Sequence, residues 1–159
     1  MRKQKIVTQS TTTLSHVTMP SDASHYGNVH GGIIMKLIDE VAFVAASRHA
    51  RHNVVTACID SLSFKNPVHI GDVIILKATL IYAGKTSMEV EVYVETEQLK
   101  TGKILPVAKA YLTMVALNKE GRPTEVPQLI LQTEEEKRKY AKAKSRRDLR
   151  LKTPKNLSD

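Results

Sequence analysis

One long segment, residues 33–52, constrains the fold more than any other part of the chain. It reads IIMKLIDEVAFVAASRHARH and contains neither proline nor glycine. Its apolar residues recur three or four positions apart, as the buried face of a helix requires. That face comprises Ile34, Leu37, Ile38, Val41 and Ala45. The spacing therefore predicts a helix from Ile33 to about His52.

The opposite side of this helix is also apolar. Met35, Ala42 and Ala46 form a second strip there, and only Lys36 and Glu40 make a clear polar notch. A helix that is apolar nearly all round is buried on more than one face. Because the chain is short, we expect another subunit to supply the second covering.

Segments of strand character flank the helix. Residues 5–18 are rich in β-branched types, and residues 87–97 alternate between apolar and polar, which is typical of an antiparallel sheet with one buried face. Further strands are predicted over residues 54–64, 73–82 and 107–118, with short turns at 83–85 and 118–121. The sequence thus predicts an α+β fold in which one long helix lies across an antiparallel sheet.

The end of the chain divides into two parts. Residues 122–132 contain Pro123 and Pro127 and are predicted to form an extended connector. A helix is predicted from Thr133, because Thr133 and Glu136 have capping-box spacing and bases follow the acids of the first turn. With almost no apolar stripe, this helix is expected to be solvated. The alternatives are contact with a neighbouring subunit, with nucleotide phosphates or with an acidic surface.

Composition and charge limit the possible functions. The chain has 159 residues, of which 42% are hydrophobic, enough for one domain with a single core. Aromatic residues make up only 4% and tryptophan is absent, so stacking platforms for single-stranded nucleic acid are scarce. Of the formal net charge of +8, residues 133–159 carry +5, from ten basic and five acidic residues. Residues 1–132 carry the remaining +3, a mild positive net charge that suits an anionic small molecule.

No segment predicts targeting, membrane insertion or a disulfide. The basic N-terminus leads into no apolar stretch of signal-peptide length, and the longest apolar run is far too short to span a bilayer. The sole cysteine, Cys58, has no CxxC or Cys/His cluster around it, which indicates a small core residue. We therefore expect a cytoplasmic protein without membrane insertion.

A polar, glycine-containing loop leads into the helix and ends in Gly31 and Gly32. Backbone N–H groups at a helix start have no partner within the helix and lie at the positive end of its dipole. Without side chains, these two residues let a ligand oxygen approach closely. The pair could thus form an oxyanion hole, although many helices begin after two glycines for conformational reasons alone.

Asp39 is the leading candidate for catalysis. Its neighbours one helical turn away are Met35, Ala42 and Phe43, so its carboxylate projects from an apolar strip that should be covered. A buried carboxylate is costly unless it is paired or employed. Glu40 instead shares the polar notch with Lys36, where a solvated ion pair explains it. We predict that Asp39 is a general base or nucleophile; the alternative is a structural hydrogen bond across a subunit interface.

Asn28 stands three residues before Gly31. Its amide could orient a water molecule or donate to a carbonyl, or Asn28 could be only a turn residue. The six histidines lack metal-ligand spacing, and neither a nucleophile elbow nor a glycine-rich phosphate loop is present. We therefore predict no metal site.

Several stretches together resemble a known family. Residues 28–64, from NVHGG to SLSF, KTSMEVEVYVE at 85–95 and ALNKEGRPTEVPQL followed by TEEEKRKY are similar to the cytosolic acyl-CoA thioesterases of the hot dog superfamily. The similarity covers roughly residues 8–145. It implies that residues 1–132 are a hot dog domain, an antiparallel sheet wrapped around one long central helix, followed by a basic C-terminal helix and tail at 133–159. Protomers would pair edge to edge, and dimers would assemble into a hexamer, a trimer of dimers.

The resemblance also implies hydrolysis of acyl-CoA to free fatty acid and coenzyme A (CoA), with each active site between two protomers. Asn28 would come from one protomer and Asp39 from the other, Gly31 and Gly32 would hold the oxyanion, and Thr56 would assist. The candidates for binding CoA phosphates are Arg48, Lys85, Thr86 and Ser87, each equally well explained as a surface residue. No cofactor is implied, since CoA is part of substrate and product.

Two other functions stay open. A hydratase or dehydratase acting on acyl thioesters would need a histidine beside the acid, and His30 is the candidate. A non-enzymatic acyl-CoA sensor with its basic tail on nucleic acid has no helix-turn-helix signal to support it. We predict a homo-oligomeric thioesterase that binds no nucleic acid.

Overall fold

The computed structural model describes residues 2–153, which form seven strands and two α-helices. The elements in chain order are β1 (Gln4–Ile6), β2 (Thr12–Val17), α1 (Gly31–Ala50), β3 (Asn53–Phe64), β4 (Val73–Ala83), β5 (Ser87–Gln98), β6 (Lys103–Leu117), β7 (Gln128–Ile130) and α2 (Glu134–Lys152). Two short 3₁₀ turns, Val7–Gln9 and Pro20–Asp22, lie on either side of β2.

The main sheet is antiparallel and curves around α1. Its strand order is β2-β4-β5-β6-β3, so β2 and β3 form the two edges. The apolar face of the sheet, including Leu80, Val90 and Leu112, packs on Ile38 and Val41 of the helix, and all five side chains are buried. This arrangement confirms the predicted α+β class and the hot dog fold.

The helix α1 begins two residues before the predicted start and ends at Ala50. Arg51 stops it by adopting a left-handed conformation, with φ of 58°. The second apolar strip is divided: Ala42 and Ala46 are fully buried by the chain's own sheet, whereas Met35 remains 43% exposed.

The single strand predicted over residues 5–18 is wrong, because two strands share this segment. β1 pairs in parallel with β7, through Gln4 and Gln128 among others, while β2 pairs with β4. A 3₁₀ turn separates them, where the Gln9 side chain accepts a hydrogen bond from the Ile6 N–H at 3.0 Å. Such a local side-chain bond offers the backbone an alternative to the sheet. Cys58, predicted to lie in the core, is instead half-buried on the edge strand β3.

The prediction of a solvated C-terminal helix is also wrong, although its start is confirmed. Thr133 and Glu136 form the reciprocal capping box, with both bonds at 3.1 Å. The helix then packs on the outer face of the sheet, where Ala143 is fully buried and the Tyr140 ring lies 4.9 Å from that of Tyr82. It contacts an acidic surface of its own chain, so charge complementarity replaces the missing apolar stripe.

Lys139, Arg146 and Arg150 of α2 pair with Glu91, Glu89 and Asp60 of the sheet. Within residues 2–153, no helix is both long and apolar enough to cross a membrane.

Candidate active site

A short, strong hydrogen bond joins α1 to the edge strand β3. The Thr56 hydroxyl donates to Oδ1 of Asp39 at 2.6 Å. The Met114 sulfur lies 3.5 Å from the same hydroxyl, but a single proton serves one acceptor, and a carboxylate is much the stronger. This bond fixes one carboxylate oxygen and leaves Oδ2 of Asp39 to accept a proton from another molecule. The structure thus brings together two of the predicted site residues.

The surroundings of Asp39 are only partly covered. Met35 and Phe43, one turn away on either side, are 43% and 46% exposed, and Val55 beside Thr56 is 44% exposed. Asp39 itself is half-buried. Because β3 pairs only with β6, its other edge presents free backbone groups beside these apolar side chains. Asp39 therefore lies beside a sheet edge and apolar surface that a second chain could cover.

The start of α1 is capped by a residue that the oxyanion prediction did not use. Nδ1 of His30 accepts a hydrogen bond from the Gly32 N–H at 3.0 Å. Among the described residues, the Gly31 N–H has no such partner, and a Cβ built on Gly31 would lie 3.9 Å from Phe64. The two glycines are therefore not equivalent, and Gly31 is the more available donor. This capping role also explains His30 without the acid–base function that a hydratase requires.

Asn28 lies in a small hairpin that precedes α1. Ala23 bridges Val29, and the Ser24 N–H donates to the Asn28 carbonyl at 2.7 Å. Gly27 closes the turn with φ of +82°, a conformation that suits glycine. Asn28 and Ser24 therefore lie opposite each other, and residues so paired project their side chains to one face of the ribbon. Sequence inspection missed Ser24, because only the fold places it beside Asn28.

No hydrogen bond links Asn28 with Asp39 in the described part of the chain. The backbone of Asn28 instead forms an isolated β-bridge with His69. The structure therefore shows no direct link between these two predicted site residues.

The predicted CoA ligands lie at the other end of α1. Arg48 donates to the Thr12 hydroxyl at 3.2 Å. Lys85 and Thr86 lie in the turn between β4 and β5, and Ser87 is the first residue of β5. A helix of 20 residues spans about 30 Å. The structure therefore separates this group from Gly31 by most of a helix length.

No group of three or more potential metal ligands occurs within residues 2–153. The buried His49 has an evident structural role, because its two ring nitrogens lie 3.2 Å from the Ser10 hydroxyl and 2.9 Å from the Pro127 carbonyl. Burial holds the pKa of His49 below its usual value, despite the favourable bond to Pro127.

Comparison with known proteins decides the family. The profile of the thioesterase superfamily matches residues 26–103, a segment that contains Asn28, Asp39 and Thr56. A hexameric acyl-CoA thioesterase, solved without ligand, is 41% identical over 94% of this chain and 96% of its own, with a TM-score of 0.90. The chain belongs to the thioesterase superfamily.

The cytosolic acyl coenzyme A thioester hydrolase of Rattus norvegicus is 40% identical over 142 residues. That alignment covers 88% of this chain but 37% of the rat protein, so the chain spans less than half the length of this thioesterase.

The acyl-CoA hydrolase of Staphylococcus aureus has been solved in complex with coenzyme A, at 36% identity over 95% of this chain and 90% of its own, with a TM-score of 0.88. Structures of the S. aureus enzyme include variants in which an asparagine, an aspartate or a threonine is replaced by alanine.

Proposed function

We propose that the chain is an acyl-CoA thioesterase, which hydrolyses acyl-CoA to a free fatty acid and coenzyme A. The observation that carries the proposal is the 2.6 Å hydrogen bond from Thr56 to Asp39. The aspartate and threonine replaced in the S. aureus hydrolase are 17 residues apart, and Asp39 and Thr56 have the same separation. The identical spacing supports the assignment of both residues to the reacting centre.

In the proposed reaction, Oδ2 of Asp39 accepts a proton from water while the water oxygen attacks the thioester carbonyl carbon. The Thr56 hydroxyl holds Oδ1 and so orients the carboxylate. The N–H of Gly31, and that of Gly32 once His30 moves away, would stabilise the oxyanion. The intermediate collapses by breaking the C–S bond, and the departing sulfur takes up the proton. Direct attack by Asp39 is the alternative, with an anhydride that water then hydrolyses.

The amide of Asn28 is proposed to position the water or the carbonyl oxygen. One comparison bears on this residue: in the S. aureus hydrolase the replaced asparagine precedes the aspartate by 15 residues. The same separation here falls on Ser24, whereas Asn28 precedes Asp39 by 11 residues. Because Ser24 and Asn28 lie opposite each other in the hairpin, an amide at position 28 can reach the region that position 24 faces.

The role of Asn28 is testable by moving the amide. Asn28→Ala should lower kcat, and adding Ser24→Asn should restore much of it by returning an amide to the opposite position. His25→Asn, at the neighbouring exposed residue, is the matched control and should restore nothing. An Asn28→Ala variant with full activity, together with an inactive Ser24→Ala variant, would assign the role to Ser24 instead.

The active site is proposed to be shared between protomers of a homo-oligomer, at least a dimer and in full a hexamer. Its support is the free edge of β3 and the exposed side chains of Met35, Phe43 and Val55. A hexameric assembly is known for the similar acyl-CoA thioesterase.

In such an assembly, Arg48, Lys85, Thr86 and Ser87 are proposed to bind the phosphates of a CoA molecule. The reaction needs no cofactor, because water and the side chains supply the chemistry. The rat relative's description as cytosolic supports a cytoplasmic location.

The activity itself is tested by release of free CoA thiol from acyl-CoAs of short, medium and long chain. Turnover of at least one of them, abolished by Asp39→Asn, is the expected result. Failure to release thiol from any chain length would contradict the proposal.

A further inference from the structure

The strand β3 is irregular directly after Thr56. A first shift in its register with β6 follows Thr56, where Ala57 has no partner, and a second shift occurs at Asp60. An extra residue of this kind, a β-bulge, bends its strand and is common beside active sites, where it re-aims a side chain. The direction of the Thr56 side chain therefore depends on how residues 57–60, the bulged segment, are held.

The first bulge changes which face of the sheet the side chains of β3 meet. In a regular strand, residues two apart lie on the same face. Here Thr56 pairs with Met114, a core residue, whereas Cys58 pairs with Thr113, whose side chain lies on the opposite face. A shift of this bulge by one residue towards the start of β3 would put Ala57 opposite Met114 in place of Thr56. The hydrogen bond of the Thr56 hydroxyl therefore requires the bulge at its present position.

The carboxylate of Asp60 ties the bulged segment to two other elements. Nη1 of Arg150, in the last turn of α2, donates to Oδ1 of Asp60, and the Thr113 hydroxyl of β6 donates to Oδ2 at 3.3 Å. The Cys58 sulfur lies 3.8 Å from Oδ1. The side chains of Asp60 and Arg150 are 15% and 25% exposed. Solvent therefore screens this ion pair less than one on the open surface.

The helix α2 is itself well anchored, which makes Arg150 a firm support. One turn before Arg150, Arg146 bonds to the buried Glu89, and nearer the start of the helix Lys139 pairs with Glu91. By contrast, β3 is an edge strand that pairs only with β6 among the described strands. The last turn of α2 therefore restrains a strand that the sheet holds on one side.

We propose that Arg150 and Asp60 are positioning residues for the candidate active site. Their ion pair holds the bulged segment against β6 and so fixes the direction in which the Thr56 hydroxyl donates to Asp39. Neither side chain of the pair needs to touch the substrate, because the effect passes through the backbone of β3. Both roles rest on the proposed thioesterase function, since they concern the kcat of that reaction.

The first test measures kcat and KM of the full chain with whichever of butyryl-, octanoyl- and palmitoyl-CoA it hydrolyses fastest. Arg150→Met should lower kcat about tenfold at nearly constant KM, because a small misplacement of a reacting group is enough to slow the reaction this much. Arg150→Lys keeps the charge and should retain most of the native kcat. Lys152→Met, at an exposed residue in the same turn of α2, is the matched control and should leave kcat unchanged.

A double-mutant cycle with Thr56→Ala separates positioning from general support of the fold. If Arg150 acts through the Thr56 hydroxyl, Arg150→Met should lower kcat less than about twofold once that hydroxyl is absent. Thr113→Val removes the other hydrogen bond to Asp60 and should also lower kcat only when Thr56 is present. An equal loss from Arg150→Met in both backgrounds would overturn the positioning role.

Hydrogen exchange tests the structural step without any turnover. In Arg150→Met, the backbone amides of residues 55–61 should exchange faster than in the native protein, while those of β4 keep their native rates. Sedimentation should show the same oligomer for both proteins. Unchanged exchange over residues 55–61, or dissociation of the oligomer in Arg150→Met, would overturn the positioning role.

Failure of the positioning role is distinguishable from failure of the proposed function. No release of thiol by the native protein would contradict thioesterase activity and the positioning role together. Native turnover combined with an unchanged kcat in Arg150→Met would contradict the positioning role alone.

Discussion

Arg146 of α2 donates two hydrogen bonds, from Nε at 2.8 Å and from Nη2 at 2.5 Å, to a single carboxylate oxygen of Glu89. Glu89 lies on β5 with only 2% of its surface exposed, and its second oxygen has no partner among the described residues. Burial raises the pKa of Glu89, although the bonds from Arg146 oppose the rise. The basic helix α2 is therefore joined to the sheet through Glu89, a buried acid that depends on Arg146 for its hydrogen bonds.

Replacing Arg146 with methionine should destabilise the fold by about 3 kcal/mol, because it leaves a buried carboxylate without its cation. Urea unfolding at neutral pH measures the loss. Arg138→Met, at an exposed position of the same helix, is the matched control and should change the free energy of unfolding by less than about 0.5 kcal/mol. Adding Glu89→Leu to Arg146→Met should recover part of the stability, and a double variant no more stable than Arg146→Met would contradict this account.

Removing the Thr56 hydroxyl should lower the proposed thioesterase activity without unfolding the protein. A hydrogen bond to a charged group contributes about 1.5–3 kcal/mol, so Thr56→Ala should reduce kcat about ten- to a hundredfold. KM for the acyl-CoA should change little, because Thr56 is proposed to orient Asp39 rather than hold the substrate. Thr13→Ala makes the same change on the other edge strand and should leave kcat intact. A normal kcat in the Thr56→Ala variant would show that the Thr56–Asp39 hydrogen bond is not needed for catalysis.

The parts of the fold that follow from local pattern were predictable. The spacing of Ile34, Leu37 and Ile38 located α1, and the alternation within residues 87–97 located β5. The Thr56–Asp39 bond was not predictable from pattern, because it joins a helix to a strand 17 residues away and depends on how the sheet curves. The docking of α2 was missed for a related reason. Three of its contact residues, Lys139, Arg146 and Arg150, are charged, and only the fold brings the acidic outer face of the sheet beneath them.

A mixing experiment tests the proposal that each active site draws on two protomers. Asn28→Ala and Asp39→Asn should each be nearly inactive as homo-oligomers. After subunit exchange, mixed dimers would contain one site with both native residues, so an equal mixture should recover up to roughly a quarter of native activity. Recovery should follow the rate of subunit exchange. Mixing Asp39→Asn with Thr56→Ala is the control, since both changes lie at the same half of the site and should not complement. Activity that stays at background after demonstrated exchange would place the whole site within one chain.

His49 should make the fold sensitive to mild acid. Burial lowers its pKa in the folded protein. At pH values between this lowered pKa and the usual value of 6.5, the unfolded chain therefore binds more protons than the folded chain does. The folded state therefore loses stability as pH falls through this range, and regains it above the unfolded pKa. His49→Gln removes the titrating group while keeping polar atoms near Ser10 and the Pro127 carbonyl. Urea unfolding at pH 7.5 and 5.5 should show a smaller loss on acidification in His49→Gln than in the native protein. An equal loss in both would assign the acid sensitivity to other groups.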